Sequence, residues 1–538
     1  MHLFLLHQLL TRSAEKYPDR EAVVLNNESL NYSDLESKSS QLALCLEKTG
    51  VSPGHRVGIL LNKSIESIVS VFGILKAGAT YVPIDPLSPV SRMHHIINNC
   101  GIECAITSSA HLRKITASTE CAIPLQKVLI VDSEPGATDK REIDIDTLPW
   151  RTVTAQSPDT RRPVQVADVS PAYILHTSGS TGMPKGVAIS HLNALAFVQM
   201  AADFFAINER DRFAGFAPLH FDLSVFDIFA AVKMGATIVL VPEFLSTFPI
   251  KLAEYIENKR VSIWNSASSA LCLLADRGKL ERFSFDSLRL IHFSGDTMPV
   301  KYLRILMANM KNAAFYNIYG QTEANSSMCC RIEDIPGDET WKIPIGKPFP
   351  NFEVFALTEE GELVDRPGRR GELYVKSATV ALGYWNDEER TNEKFMQDPR
   401  ASLPAPRVYR TGDLVEIDRR NDYLFIGRKD HMVKSRGYRI ELGEIEAVLN
   451  SHALVRQAVV LAVPDELIGN RIVAHVVVLD GTGLSKSDLD QFCSNVLPKY
   501  MIPDVIFFHD ALPLSSSGKI DRKELEKLTS IGGALQKS

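Results

Sequence analysis

Residues Tyr173 to His191 read YILHTSGSTGMPKGVAISH. Thr177, Ser178, Ser180 and Thr181 are interleaved with Gly179 and Gly182, and Lys185 follows. Glycines let consecutive backbone N–H groups turn toward one point, hydroxyls add donors, and a lysine adds a movable cation. That set suits a polyphosphate. The spacing is not that of Gly-x-x-x-x-Gly-Lys-Ser/Thr or of Gly-x-Gly-x-x-Gly. A plain Ser/Gly surface loop is the competing reading. YIL before it has strand character and the pattern after His191 is helical, so the loop sits at a strand-to-helix passage.

Two acids and a second lysine extend the chemistry. In NIYGQTEANSS (Asn317 to Ser327), Glu323 is a carboxylate suited to Mg²⁺, and Tyr319 has a face for a base or ribose. The alternative is a turn followed by a helix whose first turn carries Glu323. In YRTGDLVEID (Tyr409 to Asp418), Asp413 falls in a glycine-containing turn after a strand and could accept both hydroxyls of a ribose; an Asx-turn is the alternative. In LPLSSSGKIDRKEL, Lys519 rides on a pliable loop before the terminal helix; a solvated lysine is the default there.

Around these groups the chain alternates helical periodicity with short β-branched runs. VSPGHRVGILL, ATYVPIDP, ECAITSS, ATIVLVP and VSIW read as strands, and Ser64 to Ala77 as a helix stopped by Gly78. Such alternation predicts α/β layers with mostly parallel sheets. From Gly371, GELYVKS and DYLFIGR predict short antiparallel strands. After Asp430 a helix from near Glu441, two strands (RQAVVLAVP and RIVAHVVVLD) and a helix from Ser485 to Leu497 predict a small α+β unit. The basic run GRKDHMVKSRGYRIELGEIE, broken by Gly437, reads as a charged joint between units.

The 538 residues are 45% apolar and 23% charged, which excludes general disorder and predicts two to four domains. Fifty-nine basic against 65 acidic residues give a net charge of -6, with no overall pull toward nucleic acid or anionic membrane. Eight cysteines, none at Cys-x-x-Cys spacing, argue against a zinc ribbon or disulfide scaffold and for buried thiols in a reducing compartment. MHLFLLHQLL lacks a basic n-region, and Leu3, Leu6, Leu9 and Leu10 mark a helix face rather than a signal peptide. No run is long and apolar enough to span a bilayer, so a cytoplasmic location is expected.

Taken together, these strings resemble the adenylate-forming enzymes: acyl-CoA synthetases, luciferases and the amino-acid adenylation domains of nonribosomal peptide synthesis. The likeness runs from YSDL and KAGATYVPIDP to GKIDRKEL, nearly the whole chain. RTGDL, GRKDHMVKSRGYRIELGEIE and LPLSSSGKIDRKEL point to the amino-acid branch. The resemblance implies an AMP-binding core over 1–429, multi-layered, with parallel sheets, helices and a small β-barrel-like part. It implies a small mobile α+β domain over 430–538, hinged near Asp430. ATP and Mg²⁺ are the implied cofactors. Thr177, Ser178, Gly179, Ser180, Thr181 and Gly182 would form the phosphate loop, with Lys185 closing it. Tyr319 would stack on adenine, flanked by Gly320 and Thr322. Asp413 and Arg428 would hold ribose or phosphate, Glu323 the metal, and Lys519 the carboxylate and ribose oxygen during adenylation. Lys519, Glu323, Thr181 and Lys185 are the implied catalytic set. Rotation about Asp430 would withdraw Lys519 and bring Gly437 toward an incoming thiol.

By the same resemblance, HFDLSVFDIF (His220 to Phe229) is the substrate segment and resembles that of stand-alone ligases that load proline onto carrier proteins. Asp222 would meet a substrate α-ammonium, since a buried ammonium needs an acid; a helix N-cap is its alternative role. Leu223, Phe226, Asn265, His292, Ser294, Ile318, Ser326 and Ser327 are the other pocket positions. Leu223, Phe226 and Ile318 would form an apolar wall, with His292 and Asn265 leaving room for a neutral polar group. No second acid or base answers a charged side chain, so a small neutral amino acid is expected, and the lining does not spell proline. Gln321 stands where the family usually has proline. No carrier motif follows Lys519, so the acceptor is expected to be a separate carrier protein bearing phosphopantetheine. An acyl-CoA ligase and a non-enzymatic binding module are the rival readings.

Overall fold

The computed structural model describes residues 3–117, 122–132, 145–157, 164–179, 183–337, 341–401, 406–429, 432–479, 483–513 and 520–535. Ser180, Thr181, Gly182, Asp430 and Lys519 lie outside the described residues.

Two large sheets dominate. One holds eight strands, running Gly383–Tyr384, Lys185–Ser190, Pro171–Thr177, Thr80–Pro83, Arg56–Leu60, Cys104–Thr107, Lys127–Ile130 and Asp146–Pro149. The other holds nine and includes Asn325–Ile332, Ala314–Gln321, Leu290–Ser294, Ile263–Ala267, Arg212–Gly215 and Thr237–Leu240. Pairing within both is mostly parallel, as the alternating pattern predicts. A shared core of fully buried residues lies between them. It joins Val57, Tyr81 and Ile106 of one sheet to Phe213, Ile238 and Ile263 of the other through Leu42, Phe72, Val198 and Phe229. The helix Ile65–Lys76 shows why these elements form: Ser64 and Ser67 cap it reciprocally, and ten of its residues besides Lys76 are buried, so it is a mostly apolar helix enclosed on nearly every face.

A third, antiparallel sheet carries Glu353–Leu357, Arg370–Lys376, Arg407–Ile417, Phe395–Gln397 and Tyr423–Arg428. After Arg428 the next strand begins at Met432 and pairs with Tyr438–Glu441 as a two-stranded hairpin. Beyond it, the helix Leu442–Asn450, the strands Val455–Asp465, Gly469–Val478 and Val505–His509, and the helix Lys486–Ser494 enclose their own core of Ile445, Val460, Ala474 and Leu489. Among the described residues no helix is long and apolar enough to cross a membrane.

Candidate active site

Strand ends of the two large sheets and the hairpin Met432–Glu441 converge on a cavity of about 120 Å³. Thr177 and Ser178 enter it from the end of the strand Pro171–Thr177, and Asp222 and Leu223 from the turn before a short helix. Gly320 and Thr322 come from the hairpin Ala314–Ile332, Asp413 and Arg428 from the antiparallel sheet, and Lys434, Gly437 and Arg439 from the docked hairpin. Residues over 250 positions apart thus share one cleft.

Glu323 does not open a helix. Gln321 pairs with Asn325 across a tight hairpin, and the acid sits in the three-residue tip between two antiparallel strands. The tip needs Gly320, where a Cβ would lie 2.1 Å from the Asn325 carbonyl oxygen. Glu323 is fully buried. Its carboxylate accepts from Tyr384 Oη at 2.7 Å and from Arg439 Nη1 at 3.0 and 3.1 Å, and Lys185 Nζ lies 3.3 Å away. Burial raises its pKa, but the Arg439 and Lys185 cations and the Tyr384 hydroxyl outweigh burial and hold it well below the usual range. Lys185 is therefore not a movable phosphate-loop cation here. It is the first residue of a buried strand, and burial, helped by Arg439, lowers its pKa to about 8 against the pull of Glu323. In this arrangement both oxygens of Glu323 are taken, so the residues present do not fit a bound Mg²⁺.

Asp413 is not in a turn. It lies inside the strand Arg407–Ile417, just after Gly412, whose φ of +77° kinks the strand. Its cross-strand partner is Arg428, and the two form a buried ion pair. Tyr319 Oη and Gln321 Nε2 donate to its other oxygen. The Tyr319 ring itself packs with Met328, Val415 and Ile417 rather than on the cavity wall. Gln321 thus ties the tip to Asp413. Among the described residues, Thr177 Oγ1, Gln321 Oε1 and Arg439 Nε are buried with no hydrogen-bond partner, which leaves polar atoms on the cavity wall that a ligand could meet.

Asp222 precedes the short helix Leu223–Val225, but its side chain makes no capping bond. It accepts from Thr322 Oγ1 at 2.8 Å instead. Burial raises its pKa, offset in part by that hydroxyl and by Lys434. Among the described residues no ion pair within 4.0 Å reaches it. Behind it a second cavity of about 20 Å³ is lined by Leu223, Phe226, Asn265, His292, Ile318 and Ser326. The parallel register Asn265↔His292 explains why those two share a face. Asn265 is committed: its Nδ2 donates to Asp227 Oδ1 at 3.1 Å and the Leu223 carbonyl at 3.3 Å. His292 sits 4.1 Å from the Phe205 ring and 5.0 Å from Phe226, and burial lowers its pKa to about 3, so it is neutral. Ser294 lines the larger cavity. Ser327 is fully buried and lines neither, its Oγ facing the Tyr319 carbonyl at 3.5 Å.

Several participants escape sequence reading. Phe197, Phe205 and Phe349 complete the pocket wall from distant segments. Tyr384 and Arg439 hold Glu323, and a buried ion pair at 2.6 Å joins Arg92 to Glu444. The hairpin tip is also fixed. Gly437, at φ +79°, donates its N–H to Asp296 at 2.6 Å, and a Cβ there would lie 2.4 Å from Ala267 Cβ. Tyr438 packs edge-on to Phe221 and stacks on Tyr500 at 3.8 Å, and all three line the main cavity.

A layered α/β body of two mostly parallel sheets, with Asp222 and Asp413 on one cavity beside a smaller α+β unit, is the architecture of an AMP-binding enzyme. The family model described as AMP-binding enzyme matches residues 10–385, and that described as AMP-binding enzyme C-terminal domain matches 444–519. The chain belongs to the AMP-binding enzyme family. It is 36% identical over 527 residues to the L-proline–[L-prolyl-carrier protein] ligase of Pseudomonas fluorescens, covering 97% of this chain and 99% of that one. It is 34% identical to surfactin synthase subunit 1 of Bacillus subtilis over 96% of this chain and 14% of that protein. Among solved structures, the adenylation domain AlmE of Vibrio cholerae, in complex with glycyl-adenosine-5'-phosphate, shares the fold. Its TM-score is 0.84 over 98% of both chains at 22% identity. Holo-PA1221, an NRPS protein containing adenylation and PCP domains, superposes with a TM-score of 0.78 at 25% identity, over 97% of this chain and 84% of that one.

Proposed function

We propose that this chain activates a small neutral amino acid with ATP and passes it to the phosphopantetheine thiol of a separate carrier protein. The observation that carries this reading is Asp222: a half-buried, desolvated carboxylate without an ion-pair partner among the described residues, opening on the same cavity as Asp413 and Arg428. A desolvated acid of this kind is satisfied by an ammonium. A substrate α-ammonium on Asp222 would send its side chain toward Phe226, Ile318 and neutral His292, a lining that favours a small uncharged group. Proline is the first candidate, because the Pseudomonas fluorescens relative acts on it.

In the first half-reaction a carboxylate oxygen bonds to the α-phosphorus of ATP as the bond to pyrophosphate breaks. Attack by an anion on a polyphosphate needs fixed geometry and compensating positive charge. Thr177 and Ser178 with the loop after them, and Lys519, are assigned to that task. Mg²⁺ accompanies ATP in this reading, with Glu323 as its protein ligand only once Arg439 has moved away. In the second half-reaction a thiolate bonds to the acyl carbon and AMP leaves. The unit from Asp430 onward turns between the two steps about that residue, and the docked hairpin belongs to the second. A cytoplasmic location would supply ATP and reduced thiols.

The acyl-CoA alternative shares the first half-reaction and differs in the acceptor. Transfer from the preformed aminoacyl-adenylate should be at least about tenfold faster to a phosphopantetheinylated carrier than to free coenzyme A, a factor of about 1.4 kcal/mol in barrier. Quantitative thioester mass spectrometry reads it. Equal or faster transfer to coenzyme A would favour the alternative.

A further inference from the structure

Two acceptors lie behind Asn265. Its Nδ2 donates to the Leu223 carbonyl at 3.3 Å and to Asp227 Oδ1 at 3.1 Å. A carbonyl oxygen only accepts, so turning the amide over would set its oxygen against the Leu223 oxygen with no proton between them. Both N–H bonds are therefore taken. The amide atom left to the substrate pocket is Oδ1, an acceptor. His292, its neighbour across the register, is neutral, with Nε2 buried and without a hydrogen-bond partner among the described residues. A neutral imidazole can donate or accept, so the polarity at this end of the pocket is set by Asn265.

That polarity depends on a residue outside the pocket. Asp227 lines neither the main cavity nor the substrate pocket; it faces a third cavity of about 20 Å³ together with Lys63 and Ser224. One π-helical turn, Phe226–Ala230, allows this: Phe226 lines the pocket and Asp227, the next residue, lies behind it. Asp227 is 2% exposed, and burial drives its pKa well above the usual carboxylate range. Among the described residues it forms no ion pair, and its Oδ2 is buried without a hydrogen-bond partner. The nearby Lys63 ammonium donates instead to the Gly215 and Phe216 carbonyls, at 3.4 and 2.6 Å. The one hydrogen bond the Asp227 side chain accepts among the described residues comes from Asn265. An acid buried at such a cost for a single bond serves the residue at the other end of that bond.

On the reading of the cleft given above, we propose that Asp227 is a positioning residue for amino-acid selection: it holds Asn265 with its amide oxygen turned toward the substrate side chain. The pocket then takes a small neutral side chain that presents C–H or a hydrogen-bond donor at its tip. It turns away a side chain that presents only an acceptor, which would meet Asn265 Oδ1 with no proton to share. Asp227 itself touches neither substrate nor nucleotide. Without it, Asn265 keeps one bond, to Leu223, and can turn.

The test is ATP–pyrophosphate exchange by the full chain with the amino acid that wild type exchanges best. Asp227→Leu should raise KM for that amino acid about fivefold or more, the low end of what an unmade buried hydrogen bond costs, with KM for ATP unchanged. Asp227→Asn, whose amide oxygen can take the same bond, should stay within about twofold of wild type. In an Asn265→Ala background, Asp227→Leu should add nothing further, because it acts through Asn265. Losses that multiply, or an unchanged KM in Asp227→Leu, overturn the proposal. A second readout needs no variant to fold. L-Propargylglycine and β-cyano-L-alanine have side chains of one shape, ending in C–H and in an acceptor nitrogen respectively. Wild type should take the first at least about fivefold better, as substrate or as competitor of exchange. Equal or reversed preference, or competition by neither, overturns the proposal. Absence of exchange with every amino acid would sink the functional reading itself, whereas exchange with multiplying losses would sink only the role of Asp227.

Discussion

Asp222→Ala is expected to lower kcat/KM for the amino acid in ATP–pyrophosphate exchange by about 100- to 4000-fold while ATP binding is kept. Breaking a buried ion pair by deleting one partner costs about 3–5 kcal/mol, and every 1.4 kcal/mol or so is a factor of ten. The other partner here is the ammonium of the substrate, so the loss falls on the amino acid. Asp222 is held in place by Thr322, not by a helix cap. Its removal therefore withdraws a ligand group without unfolding the short helix after it. Asp222→Asn, which keeps the bond from Thr322 but not the charge, should lose nearly as much. Full exchange in Asp222→Ala, measured with saturating ATP, would remove the amine from the account.

Lys519→Ala is expected to slow adenylation by about 100- to 1000-fold, the usual consequence of removing one preorganised charge from a developing anion. Transfer of a preformed adenylate to the carrier thiol should be spared. The physical reason is the lysine's tether. Leu512 and Ile520, on either side of it, pack with Val459, Leu461 and Val477, and Asp521 N–H bonds the Pro513 carbonyl. Lys519 must travel with that unit, whose hairpin is docked at Glu323 here. A lysine and a hairpin carried by one unit can serve successive steps in turn. Rapid-quench measurement of each half-reaction separates them. Equal slowing of both, or of neither, would refute the division of labour.

Sequence and structure agree most closely where local signals are strong. Ser64 before an apolar run marks a helix start, and the structure caps it there. The β-branched runs at Arg56–Leu60, Thr80–Pro83 and Thr237–Leu240 are strands. Gly412, read as part of a turn, kinks a continuing strand, and Gly320 ends a strand at a hairpin tip, not at the helix start of the alternative reading. The strings that hold Thr177, Asp413 and Asp222 are short enough to be noticed. Arg439 and Tyr384 do not. Tyr384 lies in a two-residue strand beside Lys185–Ser190, and Arg439 in a run that reads as a charged joint. Their function depends on meeting Glu323 across 61 and 116 positions, and no local pattern encodes such an encounter. The phenylalanine wall is likewise a product of packing, since Phe197, Phe205 and Phe349 look like ordinary core in one dimension.

The central claim, that one cleft brings ATP to an amino acid whose ammonium rests on Asp222, is tested most directly by ATP–pyrophosphate exchange with wild-type protein. The panel spans the common amino acids, D-alanine, β-alanine and matched acids lacking the amine. The account predicts exchange with small neutral amino acids, proline foremost, and background rates with aspartate, glutamate, lysine, arginine and every acid without an amine. Exchange as strong with the des-amino acids, or none with any amino acid, would contradict it.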